Sequence, residues 1–194
     1  MAKRTLLVSA LFFLINLSVA ALDEHGSDNL INEESAVSKR YIDMETVKAM
    51  CTFVYEQAMH EPESPFHPEL IIGLSRGGLI PLGFLAGDGL FNNRHVKIIS
   101  VASYSDHGKQ GKLLVLESWG DEDFGYLKKF NSILIVDDLV DSGRSLSFVL
   151  KMIQEHAPHA TIKTAALFYK PCSIIKPDYC VQETTDWIVF PWEF

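Results

Sequence analysis

The chain has 194 residues, a formal charge of −8, 47% hydrophobic and 22% charged residues. That is enough for one α/β domain and too ordinary a composition for a disordered or fibrous chain. The acidic balance, with no basic cluster after the first few residues, excludes nonspecific binding to a polyanion such as nucleic acid.

Lys3 and Arg4 precede an apolar run over residues 6–22, and Ser18, Val19 and Ala20 supply the small residues of a cleavage site. Residues 1–20 are therefore expected to be a signal peptide, with an uncleaved membrane anchor as the alternative. Residues 21–40 are polar and acidic without a hydrophobic period and read as a tether. The domain is expected over residues 41–194.

In chain order, Met44 to Met59 places Val47, Met50, Cys51, Val54, Tyr55 and Ala58 on one helical face. A proline-rich stretch follows, then the short buried strand LIIG at 70–73, then SRGG leading into a helix-like LIPLGFLAGDG. A strand is expected over VKIISVASY at 96–104. Residues 105–129 carry turn signals and little periodicity, which makes them a candidate lid, since long loops in compact domains are usually functional. ILIV at 133–136, a helix from about Arg144 to His156, the strand TIKTAALFY at 161–169 and a closing DWIVF at 186–190 complete the pattern. Strands that alternate with helices and read as continuous apolar runs predict a mostly parallel sheet covered on both faces.

Cys51, Cys172 and Cys180 show no zinc spacing. Cys172 and Cys180 could pair in an oxidising compartment, but buried free thiols are the expectation. The seven histidines likewise show no ligand spacing, so no metal site made only of protein groups is expected.

The chemistry concentrates in SILIVDDLVDSGRSL at 132–146. Ligands of open parallel sheets sit at the C-terminal ends of strands, where Asp137 and Asp138 follow ILIV. The segment from Asp141 onward forms a strand-to-helix turn whose free N–H groups suit a phosphate. Gly143 would allow close approach, Ser142 and Ser145 offer hydroxyls, and Arg144 adds charge. Asp, Ser and Gly are also ordinary turn and N-cap residues, but capping needs one carboxylate and not three. Neither a GxxxxGK[ST] loop nor a dinucleotide fingerprint is present.

This string resembles the phosphoribosyl pyrophosphate signature of type I phosphoribosyltransferases, and the resemblance extends from about Tyr41 to Phe194. It implies the fold of that family: a mostly parallel twisted sheet flanked by helices, with a small C-terminal hood. LIIGLSRGGLIP resembles the family's pyrophosphate loop, which implies that role for Ser75, Arg76, Gly77 and Gly78, often with a non-proline cis bond. VASYSDHGKQGK resembles its mobile loop, with Ser103 and Tyr104 at the hinge and Lys109 and Lys112 reaching toward pyrophosphate. Lys170 in FYKP stands where purine-specific members hold the 6-oxo group. DWIVFPWEF resembles the hood of xanthine-guanine and hypoxanthine enzymes. It implies Trp187 stacking on the purine, the Ile188 backbone reading the base edge, and Glu193 near metal and pyrophosphate. Glu193 is one methylene longer than the aspartate common at that position. Trp192 is expected in the core.

The resemblance implies transfer of phosphoribose to a 6-oxopurine (xanthine, guanine or hypoxanthine). Asp141 is the candidate acid or base, and Ser142, Gly143, Arg144, Ser145 and Leu146 would hold the 5′-phosphate. Asp137 and Asp138 would serve the ribose hydroxyls or, with Glu193, a Mg²⁺ ion. Implied partners are phosphoribosyl pyrophosphate and a purine base, with a homo-oligomer (dimer or tetramer) expected. The alternatives are a non-catalytic phosphoribosyl pyrophosphate- or nucleotide-binding regulator of the same fold, or a transferase for another base. The leader implies export, and a wrongly chosen start would imply the cytoplasm instead.

Overall fold

A computed structural model of the chain describes residues 38–193 apart from 88, 93, 104–112 and 116–118. The leader and nearly all of the tether lie outside these residues. So do Tyr104, Lys109 and Lys112. No helix among the described residues is long and apolar enough to cross a membrane.

The elements run β1 (Lys39–Tyr41), α1 (Met44–Met59), β2 (Leu70–Ser75), α2 (Leu79–Ala86), β3 (His95–Ser103), β4 (Leu113–Val115) and α3 (Asp121–Leu127). They continue β5 (Ser132–Val140), α4 (Arg144–His156), β6 (Thr161–Tyr169), β7 (Tyr179–Glu183) and β8 (Trp187–Val189). Six strands form one sheet in the order β4-β3-β2-β5-β6-β7. All its neighbours are parallel except β3 and β4. This is the fold of type I phosphoribosyltransferases that the sequence led us to expect.

Burial explains the continuous apolar strands. In β5, Leu134 and Val136 join the core under α1 and α2, while Ile133 and Ile135 join the core under α4. Successive side chains point to opposite faces, so a strand covered twice needs apolar residues at every position. α1 starts where Asp43 accepts a 2.7 Å hydrogen bond from Thr46 N, and it buries Val47, Met50, Cys51, Phe53, Val54 and Ala58. α4 buries Leu146, Val149 and Ile153 and leaves its other side to solvent.

Three expectations are corrected. Residues 105–129 are not one irregular stretch. Within them β4 pairs with β3, and α3 is anchored by Lys97 Nζ, 2.6 Å from Asp123, and by Phe124, stacked on His156 at 3.8 Å. β7 was not anticipated, because Pro177 and Asp178 precede it and only Tyr179 and Val181 alternate inward. Lys39 and Arg40, read as tether, form β1. There Trp187 N donates to Ser38 O at 2.7 Å and Ile42 N to Val189 O at 3.0 Å. β1 and β8 make a separate parallel pair, the C-terminal hood.

Candidate active site

β5 runs on to Val140, so Asp137 and Asp138 lie within the strand and not after it. Asp138 lines a cavity of about 530 Å³ with Arg76, Gly77, Trp192 and Glu193. Asp137 lines a smaller one of about 110 Å³ with Leu139, Val140, Asp141, Ser142, Gly143, Ser145 and Leu146. The two line different cavities, yet their carboxyl groups lie within hydrogen-bonding reach of each other.

Both carboxylates turn back onto the backbone. Asp137 Oδ1 accepts from Asp138 N at 3.0 Å, and Asp138 Oδ1 accepts from Leu139 N at 2.7 Å. Burial raises the Asp137 carboxyl well above its usual value, and the neighbouring Asp138 charge adds to that. Burial also raises Asp138, and Glu193 contributes a smaller repulsion. Both shifts disfavour the charged form of the carboxyl.

A third cavity, of about 560 Å³, opens beneath the hood. It is lined by Leu139, Asp141, Lys170, Pro171, Cys172, Thr185, Trp187, Ile188 and Glu193. Three segments meet there: the end of β5, the loop that follows β6, and the C-terminal residues 185–193. Lys170 Nζ donates to the Asp186 carbonyl, which fixes the ammonium at the cavity wall. The Trp187 ring is 61% exposed, while the Ile188 side chain is buried. Trp187 N and Val189 O both bond to the β1 side. In a strand the intervening residue points its amide and carbonyl the other way, so those of Ile188 face the edge not paired with β1.

Asp141 belongs to both the 560 Å³ and the 110 Å³ cavities, and Glu193 to both the 560 Å³ and the 530 Å³ cavities. The three spaces thus share lining residues, Asp141 and Glu193 among them. Glu193 is held by a 3.3 Å hydrogen bond that its Oε2 accepts from Phe190 N.

The glycines also meet packing demands that the sequence did not show. A Cβ on Gly77 would fall inside the Asp138 carboxylate, and one on Gly78 would stand 2.5 Å from Val136 O. Gly78 therefore allows α2 to pack against β5, and neither it nor Ser75 lines the cavity. The Ser75–Arg76 peptide bond is cis, as the resemblance implied. Gly143 has φ +74°, a left-handed conformation that favours glycine, and a Cβ there would overlap Ser173 Oγ. Its missing side chain makes room for Ser173, and the residue also lines the 110 Å³ cavity.

Of the other expected residues, Arg144 is exposed at the start of α4 and does not line the small cavity, and Ser103 ends β3. Trp192 is partly buried against the core under α1 and α2, stacks on Phe190 at 4.6 Å, and also forms a wall of the 530 Å³ cavity. All three cysteines are free, but Cys172 is exposed at the cavity under the hood, contrary to the expectation of burial. Burial pushes the Cys51 thiol up to about 12 and Cys180 up to about 11. Sequence reasoning missed Leu139, Pro171, Cys172 and Thr185. Pro171 and Cys172 could have been found as the residues next to Lys170.

Residues 42–194 match the model of the phosphoribosyl transferase domain, and the chain belongs to that family. A purine phosphoribosyltransferase from Pyrococcus horikoshii is similar at 31% identity, over 80% of this chain and 95% of that one, with a TM-score of 0.66. A xanthine-guanine-hypoxanthine phosphoribosyltransferase from Helicobacter pylori is similar at 28% identity, over 80% and 94%, with a TM-score of 0.65. A hypothetical protein from Neisseria gonorrhoeae with bound ppGpp shares the fold at 19% identity, over 83% and 92%, with a TM-score of 0.68.

Proposed function

We propose that the protein transfers the phosphoribosyl group from phosphoribosyl pyrophosphate to a 6-oxopurine, giving a nucleoside 5′-monophosphate and pyrophosphate. The position of Asp141 at the junction of the hood cavity and the small β5–α4 cavity carries this reading. A purine in the first and a 5′-phosphate in the second would bring the anomeric carbon beside that carboxylate.

The amides of the turn before α4, with Ser142 and Ser145, hold the 5′-phosphate. Trp187 offers a face for the purine, and Lys170 is a donor suited to an oxo group where an exocyclic amine would find no acceptor. Arg76 and the loop at Gly77 face the pyrophosphate. The C1′–O bond breaks with its electron pair leaving on pyrophosphate, and a purine nitrogen forms the new C1′–N bond. Asp141 accepts the proton which that nitrogen releases. The gain comes chiefly from holding donor and base in one geometry.

Among the described residues, no group of three His, Cys, Asp or Glu side chains is arranged to hold a metal. Asp138 and Glu193 are hard oxygen donors on one cavity. They fit Mg²⁺, with substrate oxygens and water completing its six ligands. Bound there, the ion would supply Lewis-acid stabilisation of the departing pyrophosphate.

We further propose that residues 1–20 are a cleaved leader and the enzyme is exported. Mass spectrometry of the native N-terminus tests this, and soluble protein retaining residues 1–20 contradicts it. The activity is tested by supplying donor, Mg²⁺ and single bases. Nucleotide from xanthine, guanine or hypoxanthine but not adenine is expected. Donor binding without turnover of any base contradicts the reading and favours a regulator.

A further inference from the structure

The loop between β6 and β7 does two things at once. It begins with Lys170, Pro171 and Cys172, which wall the hood cavity. It then passes against the turn between β5 and α4, where two backbone hydrogen bonds tie the loops together. Lys170 N donates to Val140 O at 2.9 Å, and Ile174 N donates to Ser142 O at 3.1 Å. Close to the second bond, Gly143 lies against Ser173 Oγ, and a Cβ on that glycine would also stand 2.8 Å from Ile175 Cγ2.

Ser173 is committed to this arrangement. Its hydroxyl donates to Ile175 O at 2.7 Å, accepts from Ile175 N at 3.3 Å, and its own amide donates to Lys170 O at 3.0 Å. The Ile174 side chain, by contrast, is 69% exposed, so this turn is not shaped by burying that large apolar residue. A tight turn held by a serine against a left-handed glycine is a brace. It has two discrete supports on the phosphate-binding turn and none of its own in the core cluster beyond partly buried Ile175.

We propose that Ser173 is a positioning residue: through the turn 173–175 it holds the 142–146 loop open for the 5′-phosphate and joins that loop to the wall of the base cavity. The inference rests on the phosphoribosyl-transfer reading, since it assigns the loop a phosphate. Ser173 touches no reacting atom and acts through Ser142 and Gly143. Its removal therefore weakens the donor and spares the base.

The test uses the full-length protein. Ser173→Ala should raise KM for phosphoribosyl pyrophosphate about three- to ten-fold, the size of one or two lost hydrogen bonds, and leave KM for the purine within about two-fold. An equal rise in both constants, or none, overturns the proposal. Gly143→Ala should harm the donor KM less in a Ser173→Gly background than in the wild type, and additive losses contradict the contact.

Hydrogen exchange on the unmutated protein needs no variant to fold. Ribose 5-phosphate should slow exchange at the Ile174 amide, and unchanged exchange on saturation speaks against the brace. If no purine is turned over, calorimetric titration with ribose 5-phosphate separates the two ideas. Absence of binding to the wild type overturns the phosphate loop and the brace together. Binding that Ser173→Ala leaves unaltered overturns the brace alone.

Discussion

Gly77 lies directly against the Asp138 carboxylate, so that a single added methyl group would occupy the carboxylate's own position. The loop after β2 and the acidic end of β5 are therefore one unit, although 61 residues separate Gly77 from Asp138. Gly77→Ala is expected to displace Asp138 and lower kcat/KM about 100-fold, the scale set by small misplacements in an active site. Overpacking should cost about 1–3 kcal/mol, measurable as a lower denaturant midpoint. A variant with unchanged activity would show that the position of Asp138 is immaterial.

Asp141→Asn keeps the size and the turn but removes the proposed proton acceptor. Turnover should fall about 10²- to 10⁴-fold, the usual worth of general acid–base catalysis. Donor affinity, read by calorimetry, should stay close to the wild type because the proposed phosphate site is residues 142–146. Loss of donor affinity in proportion to turnover would assign Asp141 to binding instead.

Asp137→Asn should stabilise the unliganded protein at neutral pH. Folding raises this carboxyl above its ordinary 3.8, so the folded state binds the proton more tightly than the unfolded chain does. The contribution of Asp137 to stability is then full below the ordinary value and is lost as pH rises through the folded one. Asparagine carries no charge at any pH and can keep the bond to Asp138 N. At pH 7 the variant should melt higher, by about 2–4 °C for each kcal/mol in a domain of this size. The difference should shrink toward zero below about pH 4, where the aspartic acid is neutral as well. A variant that melts lower at pH 7 would contradict the stated effect of burial.

Trp187→Ala tests the hood. The ring is 61% exposed and contributes little to the core, so the melting temperature should hold. Stacking of a base on an aromatic ring is worth about 1–3 kcal/mol, and KM for the purine should rise accordingly while that for the donor does not. Equal purine KM in variant and wild type would remove Trp187 from the base site.

The sequence made the elements legible where local pattern and tertiary demand agree. α1 and α4 have the bounds that periodicity predicts, and β6 spans the residues read as TIKTAALFY. It failed where tertiary pairing creates an element from polar residues. KRY at 39–41 becomes a strand only because β8 lies beside it, and DEDFGYL becomes a helix that Lys97 and His156 anchor.

The site divides in the same way. Residue identities in DDLVDSGRS were readable, but their facing was not, because it depends on how far β5 extends past ILIV. The strand reaches Val140, and Asp137 and Asp138 within it line different cavities. The glycines were readable as special positions, yet their neighbours were not. Asp138 at Gly77 and Ser173 at Gly143 come from segments 61 and 30 residues away.

The central claim is that one ligand spans the hood cavity and the β5–α4 turn past Asp141. A crystal structure of the protein with guanosine or xanthosine 5′-monophosphate tests it most directly. The account predicts the purine over Trp187 within reach of Lys170, the phosphate on the amides of 142–146, and the glycosidic bond beside Asp141. A phosphate seated on Arg76 and Gly77 with the purine outside the hood would contradict it.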